Sequence, residues 1–295
     1  MITKSVMITI AGRPNVGKST LVNALTGEKV AIVSPKPQTT RSRIFAVLNR
    51  DDTQFVLLDT PGFHKARTRL GEYMVNVVKE SVADVDAVAL VVEPVDNIGT
   101  QEQLLLEQLN KSGVPAILVI NKIDTVKKEE LLRIIALYAG AFIFTAIVPI
   151  SAKKGDGIKD LLHEFQKFAV EGPQLFPDGM VTDQPEKQIV AELVREKLLM
   201  CLDREVPHGT AIEVTMFSER DDGIIDLDVT IYCEKQSHKG MIIGKNGEML
   251  KKIGQLARTD IERFMGTKVF LQTWVKVKEN WRDSQSAMRN FGFTS

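Results

Sequence analysis

The chain has 295 residues, of which 44% are hydrophobic and 26% are charged, and its formal net charge is zero. This composition is typical of globular proteins and excludes a disordered or a collagen-like chain. A chain of this length is expected to form about two domains. No apolar stretch approaches the ~18 residues of a membrane span and no signal sequence precedes the first strand, so we expect a cytoplasmic protein. Cys201 and Cys233 are far apart and lack CxxC spacing, which predicts buried free thiols rather than a disulfide or a zinc site.

The first motif is the glycine-rich segment 12–19, which lies between an apolar run of strand length and a segment with helical spacing. A strand, a glycine loop and a helix are the context that a GxxxxGK[ST] motif requires. Gly12 and Gly17 let the backbone curl so that its N–H groups point into one concavity at the positive end of a helix, where a polyphosphate binds. We expect Lys18 to contact the β- and γ-phosphates and the Ser19 hydroxyl to be a Mg²⁺ ligand. The predicted nucleotide-binding residues of this loop are Gly12, Arg13, Pro14, Asn15, Val16, Gly17, Lys18, Ser19 and Thr20.

A proline-rich polar segment, residues 33–41, comes next and is predicted to be mobile, because it can continue neither a helix nor a central strand. It contains two adjacent threonines. Thr40 is the expected Mg²⁺ ligand that responds to the γ-phosphate, and Thr39 is an alternative that the sequence does not separate from it. The apolar runs 44–48 and 55–58 flank a turn-rich stretch and predict a β-hairpin.

The second strand of this hairpin leads directly into a DxxG motif, residues 59–62. We expect Asp59 to hold Mg²⁺ through a water and the Gly62 amide to face the γ-phosphate, since no side chain blocks that approach. Thr60 and Pro61 complete this predicted nucleotide-binding element. Catalytic roles are predicted for Lys18, Thr40, Asp59 and Gly62.

Two continuous apolar runs, 87–92 and 116–120, with a helical segment between them, predict a parallel sheet covered on both faces. The second run leads directly into Asn-Lys-Ile-Asp, residues 121–124. This motif lies at the carboxyl end of its strand, where open α/β sheets bind ligands. Asp124 can accept hydrogen bonds from both N1–H and N2–H₂ of guanine, a pair of donors that adenine lacks. We therefore expect guanine specificity, with the stem of Lys122 over the base and Asn121 bracing the loop, and we disfavour an ATPase or a kinase.

A last strand of this half is predicted over residues 143–150 and ends in a Ser-Ala-Lys motif. The amide of Ala152 is expected to meet O6 of guanine. Ser151 and Lys153 are predicted to bind the nucleotide beside it.

The second half begins where periodicity stops and Pro and Gly cluster, which predicts a linker over residues 173–184. An apolar stripe then predicts a helix over residues 185–203. Two strands are predicted over residues 210–218 and 224–234. The tail from residue 281 is predicted to be a terminal helix, with Trp281 as a packing anchor rather than a stacking platform.

A Gly-Lys-Asn-Gly loop, residues 244–247, lies between two predicted short helices, and a closing strand is predicted over residues 268–277. From Lys235 to Asn280 the sequence has ten Lys and Arg against four Asp and Glu. A GxxG loop in this setting resembles that of a KH module, which binds single-stranded RNA. The resemblance implies that Lys245 and neighbouring lysines bind RNA phosphates, while an apolar floor that includes Ile242 and Ile243 carries the bases. The predicted RNA-binding residues are Lys235, Lys239, Ile242, Ile243, Gly244, Lys245, Asn246, Gly247, Lys251 and Lys252.

The motifs together resemble a known family. Residues 5–170 resemble the P-loop GTPases, and the whole chain resembles the Era family through GRPNVGKST, PKPQTTRSR, DTPGFHK, NKID, SAKKG and the C-terminal half. The order helix, strand, strand, helix, helix, strand of that half resembles a type II KH module, whose glycine loop lets the backbone of single-stranded RNA approach.

This resemblance implies a fold and a function. The expected fold is an α/β P-loop GTPase domain, a mostly parallel sheet with one antiparallel edge hairpin strand, over residues 1–172. An α+β type II KH domain over 185–280 and a tail over 281–295 are expected beyond the linker. The implied function is Mg²⁺-dependent hydrolysis of GTP to GDP by a monomeric switch that binds the single-stranded 3′ region of small-subunit (16S) rRNA and acts in small-subunit maturation. Peripheral association with the inner face of the cell membrane is also implied, although no amphipathic basic helix supports it independently.

One position departs from the Ras-like pattern. Phe63 follows DxxG, where Ras has a water-positioning glutamine, so catalysis needs another source of alignment or charge. Similarity to GTPases with a hydrophobic residue here and a P-loop asparagine implies a K⁺ site at Asn15; the alternative is that Asn15 is only a turn residue. His64 is expected to be an exposed loop residue, solvated or facing a partner, rather than a general base.

Two alternative functions differ from this switch. The first is an RNA-binding assembly chaperone whose nucleotide domain has little intrinsic hydrolysis, an alternative that Phe63 keeps open. The second is a tRNA-modification GTPase, which is disfavoured because the sequence lacks the expected cofactor-binding regions and C-terminal cysteine.

Overall fold

The structure, a computed structural model, describes residues 2–64, 66–82 and 84–293, and these divide into two compact units. The first unit comprises the described residues up to Arg67 and from Gly71 to Asp183. The second comprises Thr68–Leu70 and the described residues from Gln184 onward.

The first unit is an α/β fold. Its strands are β1 (Lys4–Ala11), β2 (Ile44–Arg50), β3 (Thr53–Asp59), β4 (Ala87–Val92), β5 (Ala116–Ile120), β6 (Ala146–Pro149) and β7 (Val170–Glu171). The helices are α1 (Lys18–Thr26), α2 (Arg69–Glu80), whose first residues fall in the second unit, α3 (Thr100–Ser112), α4 (Lys128–Ala141) and α5 (Ile158–Gln166).

Within the described residues these strands form one seven-stranded sheet in the order β2-β3-β1-β4-β5-β6, with β7 beside one end of β1. Strands β3, β1, β4, β5 and β6 are parallel, whereas β2 is antiparallel to β3. The predicted sheet with an antiparallel edge hairpin is confirmed. The two-residue strand β7, which pairs antiparallel with Lys4 and Ser5, was not predicted.

The sheet is covered on both faces, as its continuous apolar strands predict. On one face, side chains of α1 and α5 such as Leu21 and Phe165 pack against Ile8 in β1. On the other face, α3 and α4 cover β4 and β5, with Leu105 and Tyr138 fully or almost fully buried. Because five of the strands are parallel, their carboxyl ends lie along the same edge of the sheet.

The last parallel strand is shorter than predicted. Instead of 143–150, only Ala146–Pro149 is strand. Its register pairs residues 117–120 of β5 with 146–149, so the preceding apolar residues have no strand to pair with, and Ile143 is 94% exposed.

The predicted linker packs on the first unit up to Asp183. The amide of Val47 in β2 donates to the carbonyl of Val181 (2.8 Å). The buried amide of Gln54 accepts from the N–H groups of Leu175 and Phe176 (both 2.8 Å) and donates to the Phe176 carbonyl (2.9 Å). These hydrogen bonds act together with two separate apolar contacts, Phe176 against Phe45 and Val181 against the core. Isolated contacts of this kind leave no periodicity in the sequence.

The second unit contains α6 (Glu186–Cys201), β8 (Thr210–Glu219), β9 (Ile225–Cys233), α7 (Gln236–Ile243), α8 (Glu248–Met265), β10 (Val269–Val277) and α9 (Gln285–Asn290). The sheet order is β10-β9-β8, with β8 antiparallel and β10 parallel to β9. This is the predicted order of elements. Helix α8 has 18 residues, so the prediction of two short helices around the glycine loop is wrong for the second one.

The tail packs against the second unit through Trp281. Its side chain is fully buried, its ring N–H donates to the carbonyl of Gly209 (2.9 Å), and its ring contacts Phe291 edge-on. The prediction of a packing anchor is confirmed. Among the helices of the described residues, none is both long and apolar enough to cross a membrane.

Candidate nucleotide and RNA sites

The glycine-rich segment 12–19, here called the phosphate loop, connects β1 to α1 at the edge where the parallel strands end. A Cβ added to Gly12 would lie 2.3 Å from the carbonyl oxygen of Val91, and one added to Gly17 would lie 2.3 Å from Nδ2 of Asn121. Both glycines have positive φ, 152° and 97°. Only glycine fits at either position. The loop borders a cavity of about 350 Å³, which is also lined by parts of segment 32–40, Gly62, Lys122 and Lys153.

Lys18 reaches back across this loop. Its ammonium donates to the carbonyls of Gly12 (3.1 Å) and Arg13 (2.9 Å). Burial lowers the pKa of Lys18 to about 8, and the nearby charge of Asp59 opposes that shift. A buried cation that lines the cavity favours an anionic ligand.

Three oxygen-bearing side chains converge beside Lys18. The Ser19 hydroxyl donates to Oδ2 of Asp59 (2.7 Å), and the hydroxyls of Ser19 and Thr40 are 2.9 Å apart. Asp59 is fully buried, its Oδ1 has no hydrogen-bond partner among the described residues, and burial raises its pKa. Hydroxyl and carboxylate oxygens are ligands that Mg²⁺ prefers, so this cluster fits a Mg²⁺ ion.

The structure separates the two candidate threonines. Thr40 is buried and lies in the oxygen cluster, 3.2 Å from Asp59. Thr39 instead donates to the carbonyl of Lys36 (2.6 Å) within its own segment. Thr40, and not Thr39, is therefore placed to bind a cation.

Two loops are predicted to recognise the base, residues 121–124 after β5 and residues 151–153 after β6. These base-recognition loops are joined by hydrogen bonds. Asn121 donates to the carbonyl of Val16 (2.8 Å) and so ties the loop to the phosphate loop. The hydroxyl of Ser151 donates to Asp124 (2.7 Å), and this hydrogen bond is the main cause that lowers the pKa of Asp124. Asp124 is thereby held as a carboxylate that can accept two hydrogen bonds.

The amide of Ala152 already has an acceptor within the protein. The amide of Ala152, expected to meet O6 of guanine, donates to Oδ1 of Asn121 (3.0 Å) in the structure. A contact with O6 requires this amide to share or exchange its acceptor. The sequence shows only that the motifs at 121–124 and 151–153 each follow a strand. It does not show that the Asn121 side chain faces the Ala152 amide.

The DxxG segment packs tightly on the phosphate loop. A Cβ on Gly62 would lie 2.6 Å from both Cα and N of Pro14, so this glycine is required by packing. Phe63 is buried in the apolar core beside β4. Its side chain does not line the cavity.

The prediction that His64 is exposed is wrong. Its ring is half-buried, with Nδ1 2.8 Å from the Gly62 carbonyl and Nε2 buried without a hydrogen-bond partner among the described residues. Nε2 of His64 lies 3.5 Å from the position that a Cβ on Gly71 would take.

Asn15 lies at the exposed turn of the phosphate loop with φ 68°. Its carbonyl accepts a hydrogen bond from the ammonium of Lys122 (2.7 Å). Lys122 also pairs with Glu93, the residue after β4. Sequence reasoning missed Glu93, because a single acid after a buried strand has no recognisable motif.

The second unit presents the glycine loop between α7 and α8. Gly244 and Gly247 have φ 73° and 79°, and a Cβ on Gly244 would lie 2.6 Å from Cβ of Met249. Asn246 is also left-handed, at φ 52°. Backbone N–H groups in such a loop can approach a phosphate closely.

The lysines around this loop are available for binding. Lys235, Lys245, Lys251 and Lys252 are exposed and Lys239 is half-buried. Ile242 is fully buried, so its predicted place on the floor of the groove is wrong: it is a core residue of the second unit. Ile243 is half-buried, and the neighbouring Met241, which was not predicted, is 56% exposed.

Comparison with known proteins matches both units. The family model described as "50S ribosome-binding GTPase" matches residues 7–122, and the model described as "KH domain" matches residues 205–282. GTPase Era of Ruminiclostridium cellulolyticum is 52% identical over 290 residues, which cover 98% of this chain and 97% of that protein. GTPase Era of Clostridioides difficile is 50% identical over 292 residues, 98% of each chain.

Solved structures agree. A crystal structure of Era in complex with MgGDPNP and nucleotides 1506–1542 of 16S ribosomal RNA matches with a TM-score of 0.96 and 36% identity, covering 99% of this chain and 100% of that one. A variant of Aquifex aeolicus Era bound to GDP·AlF₄⁻ matches with a TM-score of 0.95 and 36% identity over the same shares. The predicted fold class and the predicted GTPase activity are confirmed. The chain belongs to the Era family of GTPases.

Proposed function

We propose that this GTPase is a switch whose nucleotide state governs its binding to the 3′ region of small-subunit rRNA, and that it acts in small-subunit maturation. The observation that carries the proposal is the likeness, over 99% of this chain, to an Era protein solved with MgGDPNP and nucleotides 1506–1542 of 16S rRNA. The phosphate cavity and the exposed lysines around the glycine loop support it independently.

In this proposal the first unit holds GTP through the phosphate loop, the DxxG segment and the two base-recognition loops. Ser19 and Thr40 hold Mg²⁺ directly and Asp59 holds it through a water. When bound, Mg²⁺ supplies positive charge next to the phosphate oxygens. Lys18 neutralises charge on the β- and γ-phosphates. Asp124 selects guanine because its carboxylate accepts hydrogen bonds from the N1–H and N2–H₂ groups of that base. Asn121 holds its base-recognition loop against the phosphate loop by donating to the carbonyl of Val16.

The proposed aid to hydrolysis is a K⁺ ion at Asn15. Phe63 is buried in the core and has no hydrogen-bonding group, so it cannot align a water. A cation beside the phosphates would stabilise the charge that develops during transfer. The left-handed backbone of Asn15 also suits a plain turn. Exchange of K⁺ for Na⁺, combined with removal of the Asn15 side chain, separates the two roles.

The proposed RNA groove lies along the glycine loop, with Lys245, Lys251 and Lys252 at phosphates. Ile243 and the exposed Met241 are the apolar side chains available to the bases. We further propose a cytoplasmic monomer, with peripheral association at the inner membrane face as a family property. Sedimentation velocity and flotation with anionic vesicles test these last two statements.

The central experiment measures fluorescence anisotropy of a labelled RNA with the sequence of nucleotides 1506–1542 of 16S rRNA. The protein is loaded with Mg²⁺ and either GDP or a non-hydrolysable GTP analogue. We expect binding in both states and tighter binding with the analogue. Equal affinities would refute the switch, and no binding would refute the RNA function. GTP turnover that stays at background in K⁺ with RNA present would favour the chaperone alternative.

A further inference from the structure

Glu93 lies between two cations of the nucleotide site. Its Oε1 pairs with the ammonium of Lys122, and its Oε2 lies 3.4 Å from Nη2 of Arg13. Lys122 belongs to the base-recognition loop and Arg13 to the phosphate loop. One carboxylate at the end of β4 therefore contacts both loops.

The Lys122 ammonium is also tied to the phosphate loop directly, and the backbone of that loop accepts a second ammonium at Arg13. Lys122 donates to the carbonyl of Asn15 (2.7 Å), and the carbonyl of Arg13 accepts from Lys18 (2.9 Å). The Arg13 guanidinium pairs in addition with Glu102, a carboxylate in the first turn of α3 that is 1% exposed. The backbone from Arg13 to Asn15 is thus enclosed by charged contacts.

We propose that Glu93 is a positioning residue for guanine-nucleotide binding: it holds the Lys122 ammonium against the phosphate loop, so that the base-recognition loop and the phosphate loop keep one relative geometry. This inference rests on the proposed role of Lys122 at the base. Lys122 has left-handed backbone, φ 64°, and its side chain lines the cavity. With its terminal charge fixed at both Asn15 and Glu93, the aliphatic stem has little freedom and is ordered before the base arrives.

A purely structural role predicts a different result. The side chain of Glu93 is 28% exposed and that of Lys122 is 38% exposed, and ion pairs at such exposure contribute little to folding stability. Loss of the Glu93 charge should therefore change nucleotide dissociation while leaving the unfolding of the nucleotide-free protein nearly unchanged.

The test measures dissociation of a fluorescent GDP from the full chain by competition with excess GDP. We expect Glu93→Gln to raise the dissociation rate roughly tenfold, the usual effect of one charged hydrogen bond. Glu93→Asp, which keeps the charge on a shorter stem, should lie between Glu93→Gln and the unmodified protein. The matched control is Glu107→Gln, at an exposed carboxylate of α3, which should behave as the unmodified protein.

A double-mutant cycle identifies the route of the effect. In a Lys122→Ala background, Glu93→Gln should add much less than it does alone, because its main partner is gone. Unchanged dissociation in both Glu93 variants, or multiplicative effects in the cycle, would overturn the inference. Failure of the unmodified chain to bind GDP at all would instead refute the proposed function.

Discussion

The hydroxyl of Thr40 lies 3.2 Å from Oδ2 of Asp59, although 19 residues separate them in the chain. This contact brings the end of the proline-rich segment to the DxxG motif. Ser19 joins the same cluster. Any cation bound there contacts three separate segments of the first unit.

The first prediction concerns this cluster. Thr40→Ala should lower the affinity for the GTP analogue in the presence of Mg²⁺ roughly tenfold, because one oxygen ligand of the ion is removed. The Mg²⁺ concentration needed for half-maximal binding should rise accordingly. Binding of GDP should change much less if Thr40 responds to the γ-phosphate. Thr39→Ala is the matched control, since Thr39 donates within its own segment. Titration with Mg²⁺ at fixed nucleotide measures both; equal losses in the two variants would contradict the assignment.

The second prediction concerns Asn15. We expect single-turnover GTP hydrolysis to be roughly tenfold or more faster in KCl than in NaCl at equal ionic strength, because a bound cation stabilises the developing charge. Asn15→Gly keeps the left-handed turn at φ 68° but removes the side chain. It should abolish the difference between the two salts and keep most of the GDP affinity. Equal rates in KCl and NaCl for the unmodified protein would remove the K⁺ site.

The third prediction concerns Phe63. Replacing it by glutamine should not create a Ras-like enzyme, because this side chain lies in the apolar core and not at the cavity. Phe63→Gln is expected to lower the free energy of unfolding by about 3 kcal/mol without raising the rate of hydrolysis. Phe63→Leu, which stays apolar, should cost about 1 kcal/mol. A faster Gln variant in single-turnover assays would show that the segment can turn this residue toward the phosphates.

The nucleotide motifs were predictable because their chemistry requires fixed local spacing. Gly12, Gly17 and Lys18 must follow one another along one loop, so a short pattern identifies them. Thr40 and Thr39 are different, since adjacent residues share every local property and only the packing against Asp59 separates them. Local pattern also could not show that the Ala152 amide is already bonded to Asn121.

The remaining errors have physical causes of the same kind. Ile242 and Ile243 are both apolar, so composition does not distinguish them. Consecutive residues of a helix point in different directions, and here Ile242 points into the core. Glu93 follows β4, and Lys122 lies two residues after β5. The two residues pair because β4 and β5 are neighbouring parallel strands. Long-range pairing of this type leaves no periodic signal in a single sequence.

The fourth prediction concerns the glycine loop of the second unit. Gly247→Asp should weaken RNA binding roughly tenfold or more, because it places a carboxylate where phosphates are expected. Gly223→Asp is a matched control: its φ is 78° against 79°, and at both positions an added Cβ meets nothing within 4 Å among the described residues. Both variants should keep GDP affinity. Similar RNA affinities for the two would place the groove elsewhere.

The fifth prediction concerns Gln54, whose buried amide holds the segment that leads to Asp183. Gln54→Ala leaves the N–H groups of Leu175 and Phe176 without their acceptor, so we expect a loss of about 3 kcal/mol in the free energy of unfolding of the first unit. Limited proteolysis within 173–183 should also become faster, because the segment loses its attachment. Asn49 accepts a hydrogen bond from the Gln54 amide (3.0 Å) and lies 3.4 Å from Asp178. Asn49→Ala leaves Gln54 bonded to Leu175 and Phe176, so it should cost less than Gln54→Ala. An unchanged cleavage rate in Gln54→Ala would mean that the contacts of β2, including the one between Val47 and Val181, hold the segment without Gln54.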